Sequence, residues 1–313
     1  MRIDVPATTT SAIAKKLEKI REESGVIALS RVLTLVISTQ SGFEEEAVQA
    51  ANVASREHPC RIIVLVRGDK FGETKLDAQI RVGGDAGASE VILLYGSGRL
   101  AEESESAISG LLLPDSPIVV WWPHEAPTKV AYSELGRIAH RRITDAGNAR
   151  DTLEALENLS NYYQAGDTDL AWTRTTSWRI QLAAIFDQLD PSTVEHITVA
   201  GATDSPSTVL LAAWLTRALK TPITINSAPR GSGIVAVRFS RANGDIVLSR
   251  SMGDVAQLYN PDDPVQHISM PKRTLADCLA EELRRLDPDE TFGEVVRHGL
   301  PRTNLRSIRA SER

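Results

Sequence analysis

Cysteines, paired histidines and long apolar runs are scarce in this sequence, and each scarcity argues against a class of protein. The 313 residues include two cysteines, Cys60 and Cys278, which lie far apart and outside any CxxC motif. No disulfide framework is therefore expected. The six histidines show none of the paired spacings of a zinc site. His58 and Cys60 are the one weak metal candidate, and in the favoured interpretation Pro59 and Cys60 fix the entry to the next strand. We expect no bound metal.

The longest apolar runs, Val32–Ile37 and Ile62–Val66, suit strands and are much shorter than a bilayer span. Met1–Thr10 lacks the apolar core of a signal peptide. The net charge is −6 and the pI is about 5.6, so phosphate backbones would attract the chain little. These features predict a cytoplasmic protein that binds neither membranes nor nucleic acid.

The overall composition is that of a folded protein, with 42% hydrophobic and 24% charged residues. The chain is long enough for two domains. Residues 1–165 alternate strands with helices, which is typical of a doubly wound, mainly parallel sheet. Strands are predicted at Arg31–Ser38, Arg61–Val66, Gln79–Val82, Glu90–Tyr95 and Pro117–Trp121. Helices are predicted at Ser11–Glu23 (ended by Gly25), Phe43–Glu57, Leu100–Leu113 and from Asp151 onward.

Residues 166–298 form the second predicted domain, a mixed α/β fold with an antiparallel portion. The turn signal Asn243-Gly244 predicts that Ile234–Ser240 and Ile246–Ser249 pair as a hairpin. Residues 299–313 carry four arginines without apolar periodicity and predict a basic flexible tail. Helices are also predicted at Trp178–Leu189 (ended by Pro191), Ser207–Leu219 and Leu275–Leu286, and strands at Glu195–Ala200 and Ile223–Asn226.

Two glycine-containing loops are candidates for phosphate binding. Gly96–Ala101 fits G-x-G-x-x-A between a strand and a predicted helix, as in dinucleotide loops, or it is a tight turn. The second loop offers hydroxyls and amides at a helix start and is a candidate anion site or a simple helix cap. Its candidate anion-binding residues are Gly201, Thr203, Ser205 and Ser207.

No motif in the sequence marks a catalytic centre. There is no GxSxG elbow, no Walker lysine in either glycine loop, and no cysteine at a helix start with a histidine partner. We therefore assign no catalytic residue and no cofactor.

One short segment is more informative about function than the rest of the sequence. It consists of Asp169–Arg174 (DLAWTR) followed by Ser177–Arg179 (SWR). This segment resembles the signature of the OpcA family, the glucose-6-phosphate dehydrogenase assembly proteins. Further stretches resemble the family in similar order and spacing. They are VPATTTSAIAKKL from Val5, ALSRVLTLVI from Ala28, SREHPCRIIVLVRGD from Ser55 and VVWWPHEAP from Val119.

The resemblance implies a non-catalytic accessory protein that binds glucose-6-phosphate dehydrogenase and promotes its oligomer assembly and activation in the oxidative pentose phosphate pathway. Tryptophan and arginine are common at interface hot spots, so the candidate partner-binding residues are Asp169, Trp172, Arg174, Trp178 and Arg179. In the other interpretation, the two tryptophans seal a domain boundary and an arginine pairs with Asp169. The competing function is an enzyme or sensor that binds a sugar phosphate or nucleotide at Gly96–Ala101 or Gly201–Ser207.

Overall fold

The computed structural model describes residues 1–24, 32–83, 90–188, 193–219, 221–250 and 253–303. Gly25, Ala28, Arg31, Leu189 and Pro191, on which parts of the sequence predictions fall, lie outside these ranges. The chain forms two compact units. The first comprises Met1–Asp145, Gly166–Thr168 and Leu275–Pro288, and the second comprises Ala146–Ala165, Asp169–Thr274 and Asp289–Arg313.

The described part of the chain contains both helices and strands throughout. The helices are α1 Thr10–Ser24, α2 Glu44–Ala54, α3 Glu134–Ile138, α4 Thr152–Tyr162, α5 Leu170–Thr173, α6 Thr176–Gln188, α7 Pro206–Leu219, α8 Leu275–Arg284 and α9 Glu290–Glu294. The strands are β1 Arg2–Val5, β2 Leu33–Gln40, β3 Cys60–Arg67, β4 Lys75–Arg81, β5 Glu90–Ser97, β6 Ile118–Trp121, β7 Arg141–Thr144, β8 Asp167–Asp169, β9 His196–Ala202, β10 Ile223–Ala228, β11 Ile234–Ser240, β12 Ile246–Ser249, β13 Val255–Asn260 and β14 Asp263–Ser269.

The first unit is built on an eight-stranded sheet of order β1-β4-β5-β3-β2-β6-β7-β8. The pairs from β5 to β7 are parallel, whereas β4 pairs antiparallel with β5 and β1 antiparallel with β4. Strands β2 and β3 are buried along almost their whole length, because helices and turns cover both faces of a parallel sheet. The predicted mainly parallel α/β fold is therefore confirmed.

One expectation for the first unit is wrong. Residues 100–113 form short 3₁₀ turns, at Gly98–Ala101, Glu105–Ala107 and Ser109–Leu111, in place of one helix. At the end of β6, Trp121 and Trp122 are both fully buried. The Trp122 indole donates to Glu103 Oε1 at 3.0 Å, which satisfies its polar end inside the unit.

The second unit contains a six-stranded sheet of order β10-β9-β11-β12-β13-β14. Only β9 and β10 pair in parallel, and the other neighbours are antiparallel. Strands β11 and β12 form the predicted hairpin, with Phe239 opposite Ile246. The antiparallel portion of a mixed α/β fold is thus confirmed, and its core includes Trp178, Leu182 and Phe239.

The chain passes between the units more than once. The boundary predicted between residues 165 and 166 stays a prediction, and the structure adds that Gly166–Thr168 and Leu275–Pro288 belong to the first unit.

The predicted flexible tail begins at residue 299, but the structure is still packed at the next residue. Leu300 is 1% exposed and lies in a core cluster of the second unit. Residues 304–313 of that tail lie outside the described ranges.

Candidate anion-binding pocket

A pocket of about 170 Å³ opens in the second unit, where five stretches of chain meet. Two of these stretches come from helix starts, the first turn of α6 and the first turn of α7. The other three are the turn before β11, the residue after β12 and the loop after β14. The lining residues are Arg174, Ser177, Trp178, Ser205, Ser207, Gly231, Ser232, Gly233, Ile234, Arg250, Pro271, Lys272 and Arg273.

The lining is strongly cationic. Arg174, Arg250, Lys272 and Arg273 contribute four positive groups, and none of the described lining residues is acidic. Two carboxylates lie nearby: Asp204 accepts from the Gly231 amide at 3.3 Å, and the charge of Asp254 acts on Arg250. The lining as a whole therefore carries an excess of positive charge, which attracts anions.

Arg250 is held where solvent is partly excluded. Its backbone amide donates to Val235 O at 2.7 Å, which fixes the residue immediately after β12. The guanidinium donates to Met270 O at 2.7 Å, and its central carbon lies 5.5 Å from the centroid of the Trp178 ring. Burial lowers the pKa of Arg250 from its ordinary value, and the charge of Asp254 partly offsets this. A guanidinium still keeps its proton at neutral pH, so the side chain brings a half-buried charge to the pocket.

Arg174 and Arg273 are positioned by the short helix α5. The backbone amide of Arg174 donates to Leu170 O, which places Arg174 at the carboxyl end of α5. One guanidinium nitrogen of Arg273 donates to Thr173 O at 3.0 Å. Main-chain contacts with α5 therefore help to position both residues.

The start of α7 supplies the polar floor of the pocket. Ser205 and Ser207 line it, and Ser207 Oγ donates to Ala171 O at 2.8 Å. A helix of 14 residues presents the positive end of its dipole at this point. The amides of Ser205 and Thr208 already donate to Ala202 O and Ser205 O. The helix dipole and the cationic side chains of the lining therefore both contribute positive potential to the pocket.

Gly201 lets the surrounding backbone come together. A Cβ atom at this position would come within 2.9 Å of Gly233 O and closer still to Thr208 Oγ1. The neighbouring Ala202 amide donates to Gly233 O at 2.9 Å, tying β9 to the turn that lines the pocket. Among the predicted anion-binding residues, Ser205 and Ser207 thus line the pocket, Gly201 supports it, and Thr203 lies half-buried after β9.

The predicted partner-binding residues are mostly interior. Asp169 is fully buried, and its carboxylate caps α5 by accepting from the Ala171 amide at 2.8 Å and from the Ala146 amide at 2.9 Å. Trp172 is 1% exposed and donates its indole N–H to Asp289 Oδ2 at 2.8 Å.

The other three residues of that set surround the first turn of α6. Arg179 lies over the Trp172 ring, with its central carbon 3.7 Å from the centroid, and donates to Thr175 Oγ1 at 2.9 Å. Trp178 is 1% exposed, and it lines the pocket together with Arg174. Residues of the DLAWTR…SWR segment and of the Gly201–Ser207 loop therefore lie together at one pocket.

The other glycine loop has a different role. Strand β5 is followed by a 3₁₀ turn and not by an α-helix, so the context of a dinucleotide loop is missing there. A Cβ atom on Gly96 would overlap the carbonyl oxygen of Leu100, and Gly98 has a φ of +57° with its amide donating to Asp69 O at 2.8 Å. The glycines at this turn serve close backbone packing.

Sequence reasoning missed Arg250, Lys272, Arg273 and the turn Gly231–Gly233. The signals were present as the Gly-Ser-Gly turn before a strand and the Pro-Lys-Arg tripeptide after another. These residues are 20 or more positions along the chain from the start of α7. The antiparallel pairing of the strands brings them to the pocket beside that helix.

The described residues also bear on two other classes of site. No helix in the described ranges is both long and apolar enough to cross a membrane. Nor do these ranges contain a group of three or more His, Cys, Asp or Glu side chains placed to hold a metal ion.

Solved structures resemble this fold at low sequence identity. An oxidoreductase from Sinorhizobium meliloti has a TM-score of 0.52 and 10% identity, with 90% of this chain and 97% of that chain covered. KijD10, a 3-ketoreductase from Actinomadura kijaniata, has a TM-score of 0.49 and 9% identity, with 89% and 97% covered. The similarity to the Sinorhizobium protein places this fold in the class of two-part α/β proteins, with a mainly parallel sheet and a mixed sheet. Because the sequence identity is only 10%, the similarity concerns the fold alone.

Family comparisons go further than the fold. Residues 51–161 match a family model described as the glucose-6-phosphate dehydrogenase subunit N-terminal domain, and residues 165–296 match the corresponding C-terminal domain. Both family models carry the name OpcA, and together they cover most of the chain. The chain belongs to the OpcA family, as the sequence resemblance predicted.

A curated relative supports the same assignment. A Synechococcus elongatus protein named as an OxPP cycle protein OpcA is 28% identical over 151 residues. The match covers 44% of this chain and 33% of the relative, so it spans about a third of that protein's length.

Proposed function

We propose that this chain is a non-catalytic accessory protein that binds glucose-6-phosphate dehydrogenase and promotes its oligomer assembly and activation in the oxidative pentose phosphate pathway. The observation that carries the proposal is the match of both parts of the chain to domains described as parts of a glucose-6-phosphate dehydrogenase subunit. The name of the Synechococcus relative supports the same pathway.

An activator of this kind needs no reacting group. It must bind the active form of the dehydrogenase more tightly than the inactive form, because a ligand shifts an equilibrium only by its difference in affinity. A preference of about 1–3 kcal/mol corresponds to a change in activity of roughly fivefold to 150-fold.

Helix α6 offers a surface for such binding. Trp172 and Trp178 are buried, so their role in the proposal is to fix the arginines that they contact. Beyond Arg179, the side chain of Ile180 is 59% exposed on the same helix. An arginine held on an aromatic ring beside an exposed aliphatic side chain is a composition common at interface hot spots. We assign partner contact to Arg174, Arg179 and Ile180.

The test mixes the purified full chain with purified glucose-6-phosphate dehydrogenase. We expect an earlier elution volume in size-exclusion chromatography and a higher turnover of the dehydrogenase. No change in either quantity across a wide concentration range would contradict the proposal.

A matched pair of variants tests the surface. Ile180→Ser should weaken binding by about tenfold, the effect of losing about 1–2 kcal/mol at a hot spot. Val53→Ser is the control, because Val53 is an exposed aliphatic residue of α2 in the first unit, 43% exposed. Equal binding by the two variants would remove α6 from the interface.

A further inference from the structure

The six-stranded sheet of the second unit has one covered face and one face that solvent reaches. Helices α6 and α7 pack on the covered face, where Phe186 of α6 lies 4.9 Å from Phe239 of β11 between ring centroids. We infer that the open face binds the same face of a second copy of this chain, so that two copies form a twofold symmetric dimer. The inference concerns the chain alone and is tested without the dehydrogenase.

The strand register defines the open face, because successive side chains point to opposite faces of a strand. Val199, Val237 and Leu248 are fully buried, so the residues on either side of them in the sequence point to the open face. Two rows of such residues cross the sheet, and every member is exposed or half-buried. The first row is Thr224, Thr198, Arg238, Val247 and Tyr259, and the second is Asn226, Ala200, Ala236, Ser249, Gln257 and His267.

The open face carries little charge for a surface that meets water. Neither row contains an aspartate, a glutamate or a lysine, although 24% of the chain is charged. The arginine of the first row, Arg238, is paired with Asp245 at 2.8 Å. Fewer charged residues and more aromatic ones mark the centre of a protein interface, and Tyr259 is an aromatic residue with 48% of its surface exposed. The composition therefore favours a face that another protein covers.

The charge of the face also indicates which protein covers it. In a twofold interface the same patch meets itself, so a patch with net charge would face its own sign. The chain as a whole carries a net charge of −6, but the formal charge of Arg238 on this face is balanced by Asp245. A second copy can therefore approach the face without repulsion, whereas a strongly charged partner would find no opposite charges there.

The size of the face fits a dimer interface. Its strands have four to seven residues, and six of them side by side form a patch about 29 Å wide and about 20 Å long. Projecting side chains such as Tyr259 add to this flat area of about 580 Å². Stable interfaces bury about 600–1,000 Å² on each partner. Two sheets of the same twist also pack well face to face.

Helix α6 stays outside this interface, because it packs on the covered face of the sheet. A dimer would therefore carry two accessible α6 surfaces, each with Arg179 and Ile180. Such a dimer could bring two dehydrogenase subunits together. This consequence, unlike the dimer itself, rests on the proposed function.

Sedimentation velocity on the purified full chain tests the dimer. We expect a species of about 68 kDa, twice the 34.1 kDa of one chain, that dissociates on dilution. A species of one chain's mass at every concentration that the protein tolerates would overturn the inference. If that monomer bound the dehydrogenase and its Tyr259→Glu variant did not, the open face would belong to the dehydrogenase instead.

Variants locate the interface. Tyr259→Glu should raise the dimer Kd by about tenfold or more, because it removes an aromatic contact and buries a carboxylate without a partner. Tyr259→Phe keeps the ring and should keep the dimer. Tyr132→Glu is the control, because Tyr132 lies in the first unit and is 53% exposed, against 48% for Tyr259.

A second variant guards against a loss of folding, which circular dichroism would reveal. Val265→Glu changes a residue of the edge strand β14 that is 48% exposed, and it should also weaken the dimer. If both Tyr259→Glu and Val265→Glu dimerised with the Kd of Tyr132→Glu, the copies would meet through another surface and the inference would be wrong.

Discussion

In the first unit, buried arginines meet carboxylates, whereas in the second unit Arg250 meets a backbone carbonyl and an aromatic face. Arg61 Nε lies 2.8 Å from Glu90 Oε2, with both side chains almost fully buried. Arg141 is paired with Glu282 and Arg142 with Asp167 in the same unit. Arg250 of the second unit donates instead to Met270 O and lies over the ring of Trp178.

This difference separates two uses of buried charge. A buried pair neutralises itself, and removing one partner leaves an uncompensated charge in a region of low dielectric constant. A cation held by a carbonyl keeps its charge, and the field it produces is available to a ligand. The paired arginines of the first unit therefore hold the fold, whereas the half-buried Arg250 of the second unit keeps a charge that can act on its surroundings.

The largest expected effect is on the first unit. Arg61→Gln should lower the free energy of unfolding by about 3–5 kcal/mol, because the Glu90 carboxylate stays buried without its guanidinium. Urea denaturation followed by circular dichroism measures the change. Arg284→Gln is the control, since Arg284 and Glu57 form an exposed pair at 3.4 Å, and its effect should stay below about 1 kcal/mol. Similar losses for the two variants would contradict the comparison.

A smaller effect on stability is expected at the pocket. Arg250→Gln removes a desolvated cation along with one hydrogen bond, so the free energy of unfolding should fall by about 1 kcal/mol or less. Urea denaturation followed by circular dichroism measures this change as well. If Arg250→Gln destabilised the protein as much as Arg61→Gln, Arg250 would be a structural group like those of the first unit.

The smallest effect concerns the ion pair between Glu45 of α2 and Arg81 of β4 in the first unit. The hydrogen bond from Arg81 holds the pKa of Glu45 below its usual value. The stabilisation is present above the carboxyl's ordinary pKa of about 4.5 and is lost as the pH falls through the lowered value. Because Glu45 is 64% exposed, we expect a contribution of less than about 1 kcal/mol.

Glu45→Gln tests this contribution. Its free energy of unfolding should fall less steeply than that of the natural protein below pH 4.5. Glu46→Gln, on the same exposed turn of α2, serves as the control and should keep the natural slope. Parallel curves for all three proteins would show that the pair contributes nothing measurable.

The regular elements of the fold were predictable because their signals are local. β2 and β3 are continuous β-branched apolar runs, and the β11–β12 hairpin follows from an Asn-Gly turn. β7 has the sequence RRIT, which looks solvent-exposed, but the strand is buried because its arginines pair with distant carboxylates. No local sequence pattern predicts an ion pair between residues this far apart in the chain.

The site was predictable only in part, for a related reason. The α7 start was marked by Gly201, Ser205 and Ser207, since capping residues and glycines have local signatures. Arg250 and Lys272 became part of the same pocket through strand pairing, which single-sequence patterns do not specify. The DLAWTR segment was informative as a family signature, although the structure buries Asp169, Trp172 and Trp178.

Leu275–Pro288 belongs to the first unit although it is made long after residues 1–145, and this affects how the chain folds during synthesis. Helix α8 packs against α2 and buries Cys278, Leu279 and Leu283, so residues 1–145 emerge without a helix that completes their core. At about 5–20 residues per second, the missing helix follows after roughly 7–30 s. During that interval the buried side of α2 lacks its contact with α8, and residues 1–145 can complete their core only after α8 has been made.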